Sequence, residues 1–414
     1  MRQETKRFVG RLQRGEKHFP VEFNVSAGED FRLQLEVLPT TTQTAFDLQS
    51  AMGKPGSIAE SLTLEGNSDS GETFFSDTVD VFQASLGSSE SLVGLSVRAA
   101  KISGPLEIPA PLPSMRLWFR GFKSFRNTPV SSALGQVEVR GASKKVGRDE
   151  ASGYVAIHAE AKNDLSDWPN RADELLTFMH RGLGFASGKR LQTPGLELQV
   201  GERWERTYYE GDGFGSGLAP IHFMDQSPFV ETLVRRFEKP TPFPEMLWTV
   251  VGWLHVEIPF DEARFLMAMT ALETICEHVL PKSRTTLMDK KDYRPLRERL
   301  IAIVADAKLE PSIEEVLTQR IRLANGRTFF EKLRGLRDHY ALSPDVFADS
   351  EIADLVRLRN NLVHTGQGGG RRRAWPKILF IREMLSQVIF QELGYVGPHE
   401  SYLQGYKRIA PPRS

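Results

Sequence analysis

The chain has 414 residues, 40% hydrophobic, 26% charged and 9% aromatic, an ordinary globular composition with length for two or three domains. Lys+Arg and Asp+Glu both number 53, so the formal net charge is zero; this excludes nucleic-acid binding by bulk charge and leaves only a local basic patch. The single cysteine, Cys276, excludes a disulfide scaffold and a zinc ribbon and fits a reducing compartment. The charged start MRQETKRFVG lacks the apolar stretch of a signal peptide. The longest nearly unbroken apolar run, Met246 to Val256, is about half a membrane span. These features predict a soluble, cytoplasmic protein without a membrane partner.

From Phe8 to about His158 the pattern has period two. Phe31-Arg-Leu-Gln-Leu-Glu-Val37 alternates strictly, and Val21 to Val25 does the same ten residues earlier; Leu62–Leu64, Leu92–Val97, Met115–Phe119, Val137–Val139 and Tyr154–His158 follow. Gly66 to Gly71 and Ser103-Gly-Pro105 read as turns between them. Short alternating strands with turn signals predict an antiparallel sandwich or barrel-like domain with one wet face. Trp168 to Phe185 reads as a helix with Ala172, Leu175, Leu176 and Met179 on one face, ended by Gly182 and Gly184. A strand over Leu196–Val200, a loop or hairpin over Glu202–Gly217 and a short helix over Pro228–Phe237 come next. Lys239-Pro-Thr-Pro-Phe-Pro244 breaks helix and central strand alike and predicts the division between domains 1–240 and 241–414.

Beyond it the pattern is helical. Phe265, Met269, Leu272, Cys276 and Val279 make one apolar stripe, stopped by Pro281. Arg297–Ala307, Ser312–Leu323, Phe329–His339, a helix starting at Ser350 and a last one over Ala374–Leu393, with Gly394 as its C-cap, follow. Short links between them predict an antiparallel bundle, hence an α+β multidomain protein with an all-α second half. Residues 261–414 hold 25 Lys+Arg against 20 Asp+Glu, so the basic excess lies there.

The informative segment is Leu355-Val-Arg-Leu-Arg-Asn-Asn-Leu-Val-His364. Arg359 shares a helix face with Leu355, Val356 and Val363, where a guanidinium is costly unless it is paired or lines a cleft. His364 follows five residues later and Thr365-Gly366 end the helix, so Arg359 and His364 can face one cavity with Asn360 and Asn361 beside them. A capping or salt-bridge pair that closes a bundle is the other reading of the same residues.

Arg359-Asn360-x-x-x-His364 resembles the R-x(4–6)-H motif of the HEPN superfamily, including the polar residue after the arginine that its ribonucleases favour. A long first helix, here Phe265 to Glu273, and a late motif helix resemble the family layout over roughly residues 260–395. The β-rich half before it is similar in architecture to anti-phage HEPN proteins of the ApeA type. The resemblance implies a homodimer or higher homo-oligomer whose motif helices meet in one cleft, and a metal-independent endoribonuclease without cofactors. It would act on RNA, tRNA or mRNA, in abortive-infection defence, with a phage-derived trigger among its partners. His364 would then be the general acid/base, Arg359 would stabilise charge on the phosphoryl oxygens, and Asn360 would orient the imidazole or the phosphate. The chemistry suits the residue types, since histidine titrates near neutral pH and the arginine fork matches phosphate.

Gly368-Gly-Gly-Arg371-Arg372-Arg373 follows at once, readable as a mobile RNA phosphate clamp or as a solvated loop. Glu273 lies at the edge of the first bundle helix, placed to hold Arg359 or to stand as an ordinary surface glutamate. Cys276 reads as a buried structural thiol. No His, Cys or carboxylate set has metal-ligand spacing. Two further functions fit the composition: a non-catalytic HEPN-type RNA- or protein-binding module, and a carbohydrate-binding β domain resting on Trp118, Trp204, Tyr208 and Tyr209.

Overall fold

The computed structural model describes the chain except residues 1–3, 29–30, 39, 53–59, 87–90, 125–128, 145–149, 212–216, 256–257, 367–370 and 411–414. An N-terminal antiparallel sheet is followed by a helical region, an α+β arrangement in two parts. The chain divides into two compact units, Met1–Phe214 with Ile221–Lys239, and Gly215–Pro220 with Pro240–Ser414.

In the first unit, β1 (Glu4–Arg14) and β2 (Lys17–Ala27) form a hairpin continued by β3 (Leu33–Val37), β4 (Leu62–Asn67), β5 (Thr73–Ser85) and β6 (Leu92–Val97). Strand order is β3-β2-β1-β4-β5, with β6 on β5, and a Thr40–Ser91 bridge joins the chain after β3 to the chain before β6. Alternation decides what is inside: Phe8 lies opposite Phe23 across the β1–β2 ladder, and both rings meet Phe74 of β5 at centroid distances of 5.9 and 5.2 Å. All three are buried. Such aromatic groups are worth about 0.5–1.5 kcal/mol per pair beyond their burial. Helix α1 (Thr42–Gln49) packs its Ala45 and Leu48 into the same core, its first turn capped by the Thr41 hydroxyl.

Strand β7 (Ala99–Arg120) is the spine of the sheet. Its first part pairs with β5 and its last part with β10 (Ala151–His158), while β11 (Gln192–Tyr209) follows it nearly end to end. Strands β9 (Gly135–Arg140) and β8 (Val130–Ser132) extend the sheet past β10. Two readings of the sequence are corrected here. Ser103-Gly104-Pro105 is not a turn but continuous strand facing Arg203–Glu205, and Glu202–Tyr209 is strand rather than loop. The reason is close packing: a Cβ on Gly104 would lie 2.8 Å from Glu72 Cγ and 3.1 Å from the Trp204 indole nitrogen, so glycine here admits a neighbour rather than bending the chain.

Helix α2 (Trp168–Ala186) lies on β7 and β10 with Trp168, Ala172, Leu175, Leu176 and Met179 buried, and Trp168 donates its indole N–H to Leu134 O at 2.8 Å. The helix does not end at Gly182, which sits inside it. A Cβ there would come within 2.6 Å of Leu233 on α3 (Gln226–Phe237), so this glycine sets how closely α3 approaches.

In the second unit, α4 (Glu245–Leu254), α5 (Asp261–Val279), α9 (Phe329–His339), α10 (Asp349–Thr365) and α11 (Arg371–Leu393) surround one core that includes Leu247, Phe265, Leu272, Cys276, Leu336, Leu355, Leu362 and Met384. The short α6 (Lys282–Thr285) and the pair α7 (Lys290–Asp306) and α8 (Pro311–Leu323) lie between α5 and α9 in the chain, and the hairpin of β12 (His399–Ser401) and β13 (Lys407–Ile409) ends the unit. Within it the strap Leu218–Pro220 is tied down: Arg382 Nη2 donates to Leu218 O (3.1 Å), the Tyr402 hydroxyl to Ala219 O (3.1 Å), and Glu400 N to Pro220 O (2.7 Å). Among the described residues no helix is long and apolar enough to cross a membrane.

Residues 238–242 are exposed and lie outside helix and strand. A broad-specificity protease should therefore nick the chain there first, since Lys239-Pro240 resists trypsin. The nicked protein should give two bands under denaturing conditions yet keep its native size on gel filtration, because the N-terminal fragment still carries the strap hydrogen-bonded in the helical unit. Early cuts within β1 to β3 would contradict this division.

Candidate functional site

The site is built on the last two turns of α10 and the middle of α5. Ile352, Leu355, Leu358 and Leu362 are the residues of α10 buried in the bundle. This corrects the expected inward face: Val363 is 53% exposed, and Leu358 and Leu362 take the inner positions. The spacing 352-355-358-362 rotates the stripe so that Arg359, next to Leu358 and Leu362, falls on its border and is half-buried. There the guanidinium meets α5, with Arg359 Nη2 3.7 Å from Glu273 Oε2. Arg359 Nη1 also lies 3.4 Å from Asn360 Oδ1. The pair's side chains are 34% and 45% exposed, so solvent screens it and it adds at most about 1 kcal/mol.

Asn360, Asn361 and His364 are exposed. At about 100° per residue, Asn360 and His364 are stacked one turn apart, with Arg359 about 100° from Asn360 and about 140° from His364 round the helix. The structure thus brings Arg359 and Glu273 into contact and leaves Asn360 and His364 on the adjoining open face. The Thr365 hydroxyl donates to Asn361 O (2.7 Å), and Gly366, at φ 67°, ends the helix through its N–H to Leu362 O.

Gly368–Gly370 lie outside the described residues, as do the side chains of Arg371 and Arg372. The backbone of Arg371–Arg373 forms the first turn of α11 and not a loop, and Arg373 is exposed. Ala374 is buried and Trp375 packs on the bundle core, which draws the preceding arginines, good helix formers, into the helix. A groove of about 990 Å³ in the helical unit is lined by residues of the α9–α10 connection, α11 and the β12–β13 hairpin, among them Asp345, Lys377, Gln387, His399 and Tyr402, and not by the motif.

The remaining candidates have structural partners. Cys276 is buried in the α5 stripe, and burial pushes its thiol up to about 12. His180 is stacked on Phe119 (5.7 Å), hydrogen-bonds Leu191 O through Nε2 (2.8 Å), and burial holds it below the ordinary imidazole range. His255 caps α4, pushed down to about 3 by burial and by Arg382. Among the described residues no group of three His, Cys, Asp or Glu could hold a metal ion.

Of the aromatics that suggested carbohydrate binding, Trp204 and Tyr208 line one cleft and Trp118 and Tyr209 do not. Tyr208 is buried in the β core, whereas Trp118 is wedged between Phe31 and Tyr154 and donates its N–H to Glu197 (2.9 Å). Glu197 also takes Arg206 (2.6 Å) and Arg116 (3.5 Å), and Arg116 covers the Tyr154 ring at 4.5 Å. This cross-strand network borders a cleft of about 320 Å³ lined by Lys6, Glu72, Trp204 and Arg206. Sequence reasoning missed it, because no residue spacing shows that β7, β10 and β11 are neighbours.

No known family model matches the chain, and no curated protein or solved structure matches it significantly.

Arg359→Ala and His364→Ala should stay folded, each within about 1 kcal/mol of the parent in denaturant melts, because His364 is exposed and the Arg359 ion pair is screened by solvent; a cooperative loss of structure would make the pair a bundle strut. His180 gives a pH dependence. Its folded pKa lies below its unfolded one, so stability is complete above about pH 6.5 and falls as pH drops through the unfolded value. His180→Phe should lessen that slope in melts between pH 7 and pH 5, with His255 and His399, also held down by burial, supplying the rest, and an unchanged slope would remove His180 as a source.

Proposed function

We propose that the helical unit is an HEPN-type bundle and that the chain is a metal-independent endoribonuclease of anti-phage, abortive-infection defence. The observation that carries the reading is the arrangement on α10: Arg359 braced by Glu273 of α5, with Asn360 and His364 on the adjoining exposed face at the helix end. A long α5 at the start and a motif helix late in the bundle support it. The motif face is open in one chain, which suits a site completed when two such faces meet in a dimer.

The chemistry follows from the groups present. A histidine near neutral pH takes the proton of a ribose 2′-hydroxyl, which attacks its own 3′-phosphate. The bond from phosphorus to the 5′-oxygen breaks, and that oxygen receives a proton from a histidine acting as acid, leaving a 2′,3′-cyclic phosphate and a 5′-hydroxyl. Arg359 meets the charge that builds on the phosphoryl oxygens. Its contact with Glu273 orients the guanidinium, and Asn360 offers an amide to the imidazole or the phosphate. Arg373, with Arg371 and Arg372, adds charge for the RNA backbone beside the motif helix. The β-rich unit would sense the trigger.

Labelled tRNA and total RNA incubated with full-length protein, with its trigger supplied by phage-infected cell extract, test this. Cleavage should survive chelator, leave DNA intact and give cyclic phosphate ends. His364→Ala should slow it about 10²- to 10⁴-fold. Arg359→Lys should not rescue what Arg359→Ala loses, because an ammonium lacks the two-pronged contact. Products with a 5′-phosphate would overturn the mechanism, and RNA bound but never cut would favour a binding module.

A further inference from the structure

Two strands of the first unit lie side by side without forming a ladder. β3 is hydrogen-bonded along one edge to β2, and β6 along one edge to β5. Their other edges are neighbours. Among the described residues one bridge joins them, at one end, where Thr40 N donates to Ser91 O (3.0 Å) and Ser91 N to Thr40 O (3.1 Å). Away from that bridge a groove of about 470 Å³ opens, with Leu33, Gln34 and Leu35 on one wall and Leu95, Ser96 and Val97 on the other.

Register shows which backbone groups the groove receives. Along an antiparallel ladder, residues alternate between bonding the partner strand and pointing away from it. Leu38 N donates to Glu22 O (2.8 Å), so Glu36 and Gln34, at even steps from Leu38, also bond β2. Leu35 and Leu33 therefore turn their N–H and C=O groups outward. Arg98 N donates to Thr78 O (3.1 Å), so Ser96 bonds β5, and Val97 and Leu95 turn theirs outward. Among the described residues none of these outward groups has a hydrogen-bond partner.

Open strand edges invite another strand. A polypeptide in extended form supplies what this groove lacks, N–H and C=O groups that alternate to both sides at about 3.3 Å per residue. Side chains define the segment further. Leu95 belongs to the core of the β unit, Leu33, Leu35 and Val97 pack on it, and core residues Phe31, Ala100 and Tyr208 line the groove with them. Arg32 and Arg120 line the end away from the bridge, against Glu210 alone; Glu36 is not in the lining and takes the Asn24 amide (3.3 Å). We propose that this groove is a docking slot for an extended segment of a partner protein, which adds as a strand between β3 and β6. Every second side chain of the segment is apolar and turns inward, and an acidic residue lies at the Arg32–Arg120 end. A second copy of the chain is the poorer occupant, because a strand already paired in its own sheet has one edge to offer and the slot presents two. The slot belongs to the β-rich unit and does not rest on the ribonuclease reading.

Panning full-length protein against a displayed library of random octapeptides tests it, with fluorescence anisotropy on the enriched peptides made synthetically. These should alternate apolar and polar residues and carry an acid toward one end. Methylating a backbone nitrogen at a paired position should weaken binding about tenfold, the effect of one lost and desolvated hydrogen bond, and it leaves the protein untouched. Leu33→Pro, which removes an N–H aimed into the groove and none that bonds β2, should weaken it to a similar degree. Arg32→Glu should weaken the acidic peptides and favour their lysine counterparts. Circular dichroism should match the wild type for both variants; should Leu33→Pro unfold the strand, the methylated peptides and Arg32→Glu decide. A library without binders, enriched peptides without alternation, or binding that survives N-methylation or a folded Leu33→Pro overturns the proposal. Self-association that Leu33→Pro abolishes overturns it too and gives the groove to a second copy. The readout is peptide binding, so a chain that never cuts RNA still tests it.

Discussion

The helical unit depends on the broad apolar face of α5. Phe265, Ala268, Met269, Ala271, Leu272, Ile275 and Cys276 are all buried, and α4, α9, α10 and α11 pack around the helix. Each large side chain so buried contributes about 1.5–3 kcal/mol, so the neighbours have little freedom to rotate or slide. The opposite face is polar. Glu273 and Glu277, one turn apart on it, make the ion pairs that reach outward, Glu273 to Arg359 on α10 and Glu277 to Lys332 on α9. The site is therefore positioned by hydrophobic packing, and the ion pair only selects the direction of a guanidinium that the packing has already brought near.

How much of this was legible follows from range. Helix positions rest on local periodicity and could be read: Phe329–His339 and the α5 stripe stand where the pattern puts them. What needed tertiary knowledge could not. Gly104, Pro105 and Gly182 look like breaks, yet they sit inside a strand and a helix because Trp204 and Leu233 approach them closely. On α10 the pattern puts Ile352 and Leu355 inward, as they are, but Val363 and Leu362 are equally apolar and only the bundle decides which faces in. The Glu273–Arg359 contact was open to sequence reasoning because both residues border strong stripes. The Glu197 network in the sheet was not, because it joins residues far apart in the chain.

The energetics of the motif differ from those of the buried arginines around it. Arg337 is buried, donating to Phe347 O (3.1 Å) and Asp349 (2.6 Å), and ties α9 to the start of α10. Arg382 spans strap and helix through carbonyls, and burial lowers it to about 10. Removing either leaves buried acceptors unpaired, which costs about 1–3 kcal/mol each. Arg359, half in solvent beside a half-exposed glutamate, holds nothing of that kind together. A guanidinium with one side braced and the other open is accessible to an anion, which is what the proposed role of Arg359 requires.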